Sequence, residues 1–118
     1  PFNHMTVMYK KEAVTRAGGY QDLFWNEDYY LWIRMAVKNC VMANTGTVLV
    51  NVRVNDDMYM RRGGVQYFKS EKYLQDFMLK QGMIHYMEYI TNLAKRFIVQ
   101  ILLPNKIRGW VFRKFARS

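Results

Sequence analysis

The chain has 118 residues, a formal charge of +9 and a hydrophobic content of 51%. That length confines it to one small domain or a piece of a larger one, and so much apolar and aromatic content excludes disorder and permits a core. A single cysteine, Cys40, excludes an intramolecular disulfide and fits a reducing compartment.

In chain order, Met5-Thr6-Val7-Met8-Tyr9 is β-branched and aromatic enough to predict a short strand. Residues 11–17 predict a short helix stopped by Gly18-Gly19, because glycine supplies the left-handed conformation that ends helices. Residues 20–25 form a loop. Asn26 is an N-cap type, and a helix runs from it to about residue 38 with Glu27 and Asp28 in its first turn, where the dipole favours negative charge. Tyr29, Trp32, Ile33, Ala36 and Val37 load one face of that helix and Leu31 and Met35 another, so it is expected to be buried nearly all round. Residues 48–54 alternate valines at period two and read as the clearest strand, with residues 41–43 as a shorter one. Arg61-Arg62-Gly63-Gly64 is a polar hinge, and helices follow over residues 65–80, stopped at Gly82, and 84–103, stopped at Pro104.

Charge concentrates at the end. In residues 85–118, Lys95, Arg96, Lys106, Arg108, Arg113, Lys114 and Arg117 face Glu88 alone. Phe97, Ile98, Ile101 and Leu102 recur at helical spacing, a pattern that reads as core; the run containing them is too short to span a bilayer. The basic residues interleaved with Trp110, Phe112 and Phe115 suit an interfacial segment, which we weigh against plain packing. No RNA- or DNA-binding module accompanies the charge, so nucleic acid is not expected as a partner.

Glu27 and Asp28 carry the best chemical signal. Acidic residues open many helices for the dipole alone, but a carboxylate fixed at an apolar helix entrance between aromatic side chains also meets the needs of a general base. His4 and His85 are too few and too far apart in sequence for a zinc site, and Cys40 reads as a small core hydrophobe.

The wider strings decide between these readings. Phe2-Asn3-His4-Met5-Thr6-Val7-Met8-Tyr9, Ala17-Gly18-Gly19-Tyr20-Gln21-Asp22 and Phe24-Trp25-Asn26-Glu27-Asp28-Tyr29-Tyr30-Leu31-Trp32-Ile33-Arg34 stand in the order and spacing of family-2 glycosyltransferases. The chain resembles bacterial members that build capsular polysaccharide and exopolysaccharide, and the likeness extends through Val52-Arg53-Val54 and Met58-Tyr59-Met60-Arg61-Arg62 to Leu103-Pro104-Asn105-Lys106. The resemblance implies an α/β fold, the C-terminal part of a GT-A nucleotide-sugar transferase with a few short strands followed by a mostly helical extension. Residues 1–57 would be the acceptor side of the catalytic domain, 58–64 a flexible basic loop, and 65–118 a helical, basic extension.

The family's Glu-Asp pair maps onto Glu27 and Asp28, with Asp28 as the base of an inverting transfer of a hexose-type sugar. Arg53, Arg61 and Arg62 would meet the donor diphosphate; each is otherwise a solvated surface arginine. Trp25, Tyr20 and His4 would line the acceptor site, with core packing or a structural hydrogen bond as their plainer roles. The resemblance also implies a nucleotide-sugar donor, a glycan or lipid-linked acceptor, and manganese or magnesium. This chain has no Asp-X-Asp motif, and Asn55 stands where many relatives carry a metal-binding His, so the metal is expected to be held by a preceding half that this chain, opening at Pro1, lacks. The polypeptide alone is then expected to be inactive, and the whole protein to work in the cytoplasm, peripheral to the inner face of the membrane. The competing expectation is a non-catalytic basic module that binds membrane or a partner.

Overall fold

The computed structural model describes residues 2–51 and 63–103. The chain divides into two compact units, Pro1–Val52 and Arg53–Ser118.

In the first unit, Asn3 caps a single 3-10 turn, His4–Thr6. Its side chain accepts the Met5 N–H at 3.2 Å, and its carbonyl takes both the N–H and the hydroxyl of Thr6. These local bonds compete with a sheet ladder for the same backbone, which is why the strand expected over residues 5–9 does not form. Helix α1, Lys11–Arg16, ends where the sequence said it would. Gly18 N–H reaches the Thr15 carbonyl and Gly19 N–H the Val14 carbonyl, both at 2.9 Å, closing a Schellman motif with Gly18 at φ +85°.

Helix α2, Glu27–Val37, is the centre of this unit. Six successive residues, Tyr30 to Met35, are buried, so the helix is covered nearly all round as its pattern required. Leu31, Trp32 and Met35 form a core with Ala17, against which Phe2, Val7, Ala13, Val14, Cys40 and Met42 pack. Its C-terminus repeats the same closing motif with Asn39 at φ +55°: Cys40 N–H bonds the Met35 carbonyl at 3.0 Å.

The described residues of the second unit form a helix pair. Helix α3, Val65–Lys80, stops at Gly82, again in a Schellman motif. Helix α4, Tyr86–Phe97, begins at His85, whose backbone N–H donates to Glu88 Oε2 at 2.8 Å. It continues as one wider turn, Ile98–Leu102, closed by the Leu103 N–H on the Ile98 carbonyl at 3.1 Å. Leu74 is fully buried on α3. Across the seam Phe68 meets Phe97 edge-on at 5.7 Å, and beside that contact Tyr89 donates to Asp76 at 2.7 Å, Asn92 to Gln75 at 3.1 Å, and Arg96 pairs with Glu71.

The fold differs from the α/β expectation: no strand or sheet forms among the described residues. Residues 48–51 belong to no regular element, with Val48 84% and Leu49 72% exposed, and Val41 is fully exposed. The valine alternation has the right period. A strand, however, holds its shape through cross-strand bonds and side-chain pairs, and no described segment supplies them. Residues 52–54 of that expected strand and the 58–62 part of the basic loop lie outside the described residues.

The seam has a pH consequence. Burial pushes the Asp76 carboxyl upward, but the hydrogen bonds from Lys72 and Tyr89 and the Lys72 charge outweigh it, so its pKa lies below the ordinary 3.8. Its contribution is therefore complete above about that value and is lost as pH falls through the lower folded-state value. Thermal melts of the wild type should lose stability along this acid limb, and Asp76→Asn should flatten it. The effect is modest, because Lys72 and Asp76 are nearly half exposed and solvent screens the pair.

Candidate active site

A cavity of about 520 Å³ opens at the N-terminus of α2, lined by His4, Tyr20, Phe24, Trp25, Glu27 and Asp28. Three chain reversals bring these residues together. The Asn3-capped turn supplies His4, the glycine stop of α1 delivers Tyr20, and the turn that closes with Asn26 N–H on the Leu23 carbonyl at 2.9 Å presents Phe24 and Trp25. The first residues of α2 add Glu27, exposed, and Asp28, half-buried.

Asn26 occupies the N-cap position, but its side chain does not close the cap. Asp28 Oδ1 instead accepts the Tyr29 N–H at 2.7 Å, which satisfies one of the open donors of the first turn and fixes the carboxylate. Trp25 sits at φ +59°, in the left-handed region where a bulky side chain is strained. Strain of this kind costs roughly 1–3 kcal/mol and concentrates at functional sites. The indole it orients is 52% exposed and meets the Phe24 ring edge-on at 6.0 Å.

Tyr20 links the far wall. Its hydroxyl lies 3.4 Å from the Tyr9 hydroxyl and 3.3 Å from His4 Nδ1, and its ring stands edge-on to the imidazole at 5.7 Å. Burial first, then the hydrogen bond and charge of Tyr9 and the Asp28 carboxylate, push the Tyr20 phenol up to about 12. It therefore stays protonated across any working pH and can donate a hydrogen bond into the cavity.

Arg34 holds this wall in place. The guanidinium is buried within the unit; Nη1 donates to the Ala17 carbonyl and Nη2 to the Gly19 carbonyl, both at 2.7 Å, and its carbon lies 4.4 Å from the centre of the Tyr30 ring. A Cβ at Gly18 would come within 3.3 Å of Nη1. One fork thus pins the α1 stop to α2 and sets where Tyr20 emerges.

The sequence candidates Asp28, Glu27, Trp25, Tyr20 and His4 all line this one cavity. Arg53, Arg61 and Arg62 lie outside the described residues. His85 is far along the chain as the N-cap of α4, and Cys40 sits at the core edge, where its sulfur takes a hydrogen bond from Arg16 at 3.3 Å. Sequence reasoning passed over Phe24 and gave Arg34 no role. The signal for Arg34 was present: a lone cation inside an otherwise apolar, buried helix needs partners. Among the described residues no group of three or more His, Cys, Asp or Glu could hold a metal ion.

Chemically, the site offers paired carboxylates for hydroxyl groups, aromatic faces for the C–H surfaces of a ring, and a neutral phenol donor. Its volume suits a small ligand such as one or two sugar units.

The chain is similar to bacterial glycosyltransferases along nearly its whole length. It is 37% identical over 117 residues to a UDP-Gal:alpha-D-GlcNAc-diphosphoundecaprenol beta-1,3-galactosyltransferase of Escherichia coli, covering 99% of this chain and 42% of that protein. It is 40% identical over 118 residues to a glycosyltransferase of Haemophilus influenzae, covering all of this chain and 43% of the relative. An amylovoran biosynthesis glycosyltransferase of Erwinia amylovora is 34% identical over 114 residues, covering 97% of this chain and 42% of its own length. The chain thus spans about two fifths of the length of the curated relatives it matches. No protein-family model matches it, and no solved structure does.

Proposed function

We propose that this chain forms the acceptor side of a family-2-type glycosyltransferase that moves a hexose from a nucleotide-sugar to a glycan or lipid-linked acceptor in bacterial polysaccharide assembly. The observation that carries the reading is the cavity at the α2 N-terminus, where Asp28, Glu27, Tyr20, Trp25 and His4 converge in a chain similar to bacterial glycosyltransferases. The acceptor hydroxyl attacks the anomeric carbon. Its proton passes to the Asp28 carboxylate as the new C–O bond forms, and the old bond breaks with its electron pair leaving on the nucleoside diphosphate, so the anomeric centre inverts. Glu27 accepts a second acceptor hydroxyl and Tyr20 donates to a ring or hydroxyl oxygen. Trp25, with Phe24, offers its ring to the sugar face. Arg53, Arg61 and Arg62 are proposed to meet the leaving diphosphate, whose charge a pair of guanidinium forks suits. The same reading sets the protein in the cytoplasm at the inner face of the cell membrane.

The test is transfer by the intact protein. Purified full-length enzyme, given UDP-galactose and other nucleotide-sugars, a diphospholipid-linked GlcNAc acceptor, and either manganese or a chelator, should form a disaccharide with at least one donor, in the manganese arm alone. Absence of product with every donor, while a characterised transferase uses the same acceptor, would overturn the proposal.

A further inference from the structure

We propose that the outer face of α4 and its terminal turn is a docking surface for an anionic phospholipid bilayer, lying in the interface rather than crossing it. The sequence pattern read Phe97, Ile98, Ile101 and Leu102 as core; Phe97 meets the Phe68 ring of α3 edge-on at 5.7 Å and Ile101 is half-buried, whereas Ile98 and Leu102 are exposed. A polar row of the helix also faces α3. Tyr89, Asn92 and Arg96, spaced three and four apart, turn inward to Asp76, Gln75 and Glu71 of α3. That leaves Met87, Ile90, Ala94, Ile98 and Leu102, also spaced three and four apart, as one exposed stripe. Met87 is 73%, Ile98 49% and Leu102 61% accessible.

Charge decides what the stripe fits. The acids of residues 63–103 are Glu71, Asp76 and Glu88, and each is occupied: Glu71 by Arg96, Asp76 by Lys72 and Tyr89, Glu88 by the α4 N-terminus. Lys69, Lys80 and Lys95 remain exposed, and Lys95 borders the stripe on α4 itself. The sequence beyond, residues 104–118, adds Lys106, Arg108, Arg113, Lys114 and Arg117 and no acid. An apolar helical stripe beside Lys95, in a unit whose sequence carries 13 Lys and Arg against the five acids Asp56, Asp57, Glu71, Asp76 and Glu88, is complementary to acyl chains under anionic headgroups. None of the described helices is long and apolar enough to cross a membrane, and the proposed contact is with the interface alone. This surface belongs to the second unit and stands whether or not the sugar-transfer reading holds.

The test is flotation of the full-length protein with vesicles of phosphatidylglycerol and phosphatidylcholine, against vesicles of phosphatidylcholine alone. Wild type should float with the anionic vesicles and be released as salt rises. Ile90→Asp and Ile98→Asp, each placing a like charge among the headgroups, should bind at least about tenfold more weakly while keeping the wild-type melting temperature and molecular mass. Equal binding by both variants overturns the proposal. So does a wild-type dimer that Ile90→Asp converts to monomer, since a second copy then covers the face. Unfolding of both variants overturns it too, because the face is then covered by the protein's own chain; Met87→Gln, a milder change at the most exposed stripe position, must weaken flotation without unfolding for the proposal to stand.

Discussion

Asp28→Asn is expected to lower the kcat for sugar transfer by the intact protein about 10²–10⁴-fold, the range a positioned general base contributes. Asparagine nearly matches aspartate in shape, and its amide oxygen can still accept the Tyr29 N–H that Asp28 Oδ1 takes at 2.7 Å. The first turn of α2 should therefore keep its geometry, and melting temperature should move little. What disappears is the basic lone pair that removes the acceptor proton, so the loss should fall on kcat far more than on acceptor KM. Glu27→Gln provides the contrast. An exposed carboxylate that only orients acceptor hydroxyls should, when neutralised, raise KM and leave kcat within about tenfold. If Asp28→Asn retains near wild-type kcat, the proton goes elsewhere and the role assigned to Asp28 is wrong. If both variants lose kcat equally, the two carboxylates act as one unit and the division of labour drawn here fails.

The helical scaffold of this site was legible from local chemistry because helix termini are local. The Gly18-Gly19 stop, the acidic opening at Glu27-Asp28, the full helix over residues 65–80 and its Gly82 stop all follow from caps within a few residues, and they stand where expected. Strands are not local. The valine pattern of residues 48–54 names a face without naming a partner, and the segment forms no strand through its described residues. The outward row of α4 was hidden for a similar reason. An apolar stripe reads as core by default, and the contacts with Glu71, Gln75, Asp76 and Phe68 on α3 decide which side turns inward. At the cavity, the candidates were found as members of a string, but what gathers them, the strained backbone at Trp25 and the Arg34 fork, exists only in three dimensions.

That fork is where the second large effect is expected. Arg34 is a buried cation whose described partners are two carbonyl oxygens and an aromatic face, with no carboxylate among them. Its place is favourable because the Ala17 and Gly19 carbonyls gather at the end of α1, and the Tyr30 ring adds its negative face. Arg34→Met keeps most of the stem and removes the fork, leaving the buried Ala17 carbonyl and the half-buried Gly19 carbonyl short of a donor. At about 1–3 kcal/mol for each orphaned group, the loss of stability should be roughly 2–6 kcal/mol, read as a lower denaturant midpoint at unchanged slope. Arg34→Lys should recover only part of it, since one ammonium on a flexible stem cannot span both carbonyls in the planar geometry that the guanidinium provides. The consequence reaches the cavity through Gly18 and Gly19: once unpinned, the turn no longer fixes Tyr20 against His4 and Tyr9, and transfer by the lysine variant should fall with acceptor KM rising more than kcat drops. An Arg34→Met protein as stable as wild type, within about 0.5 kcal/mol, would mean that water or another group serves the two carbonyls equally well and that the fork does not organise the site.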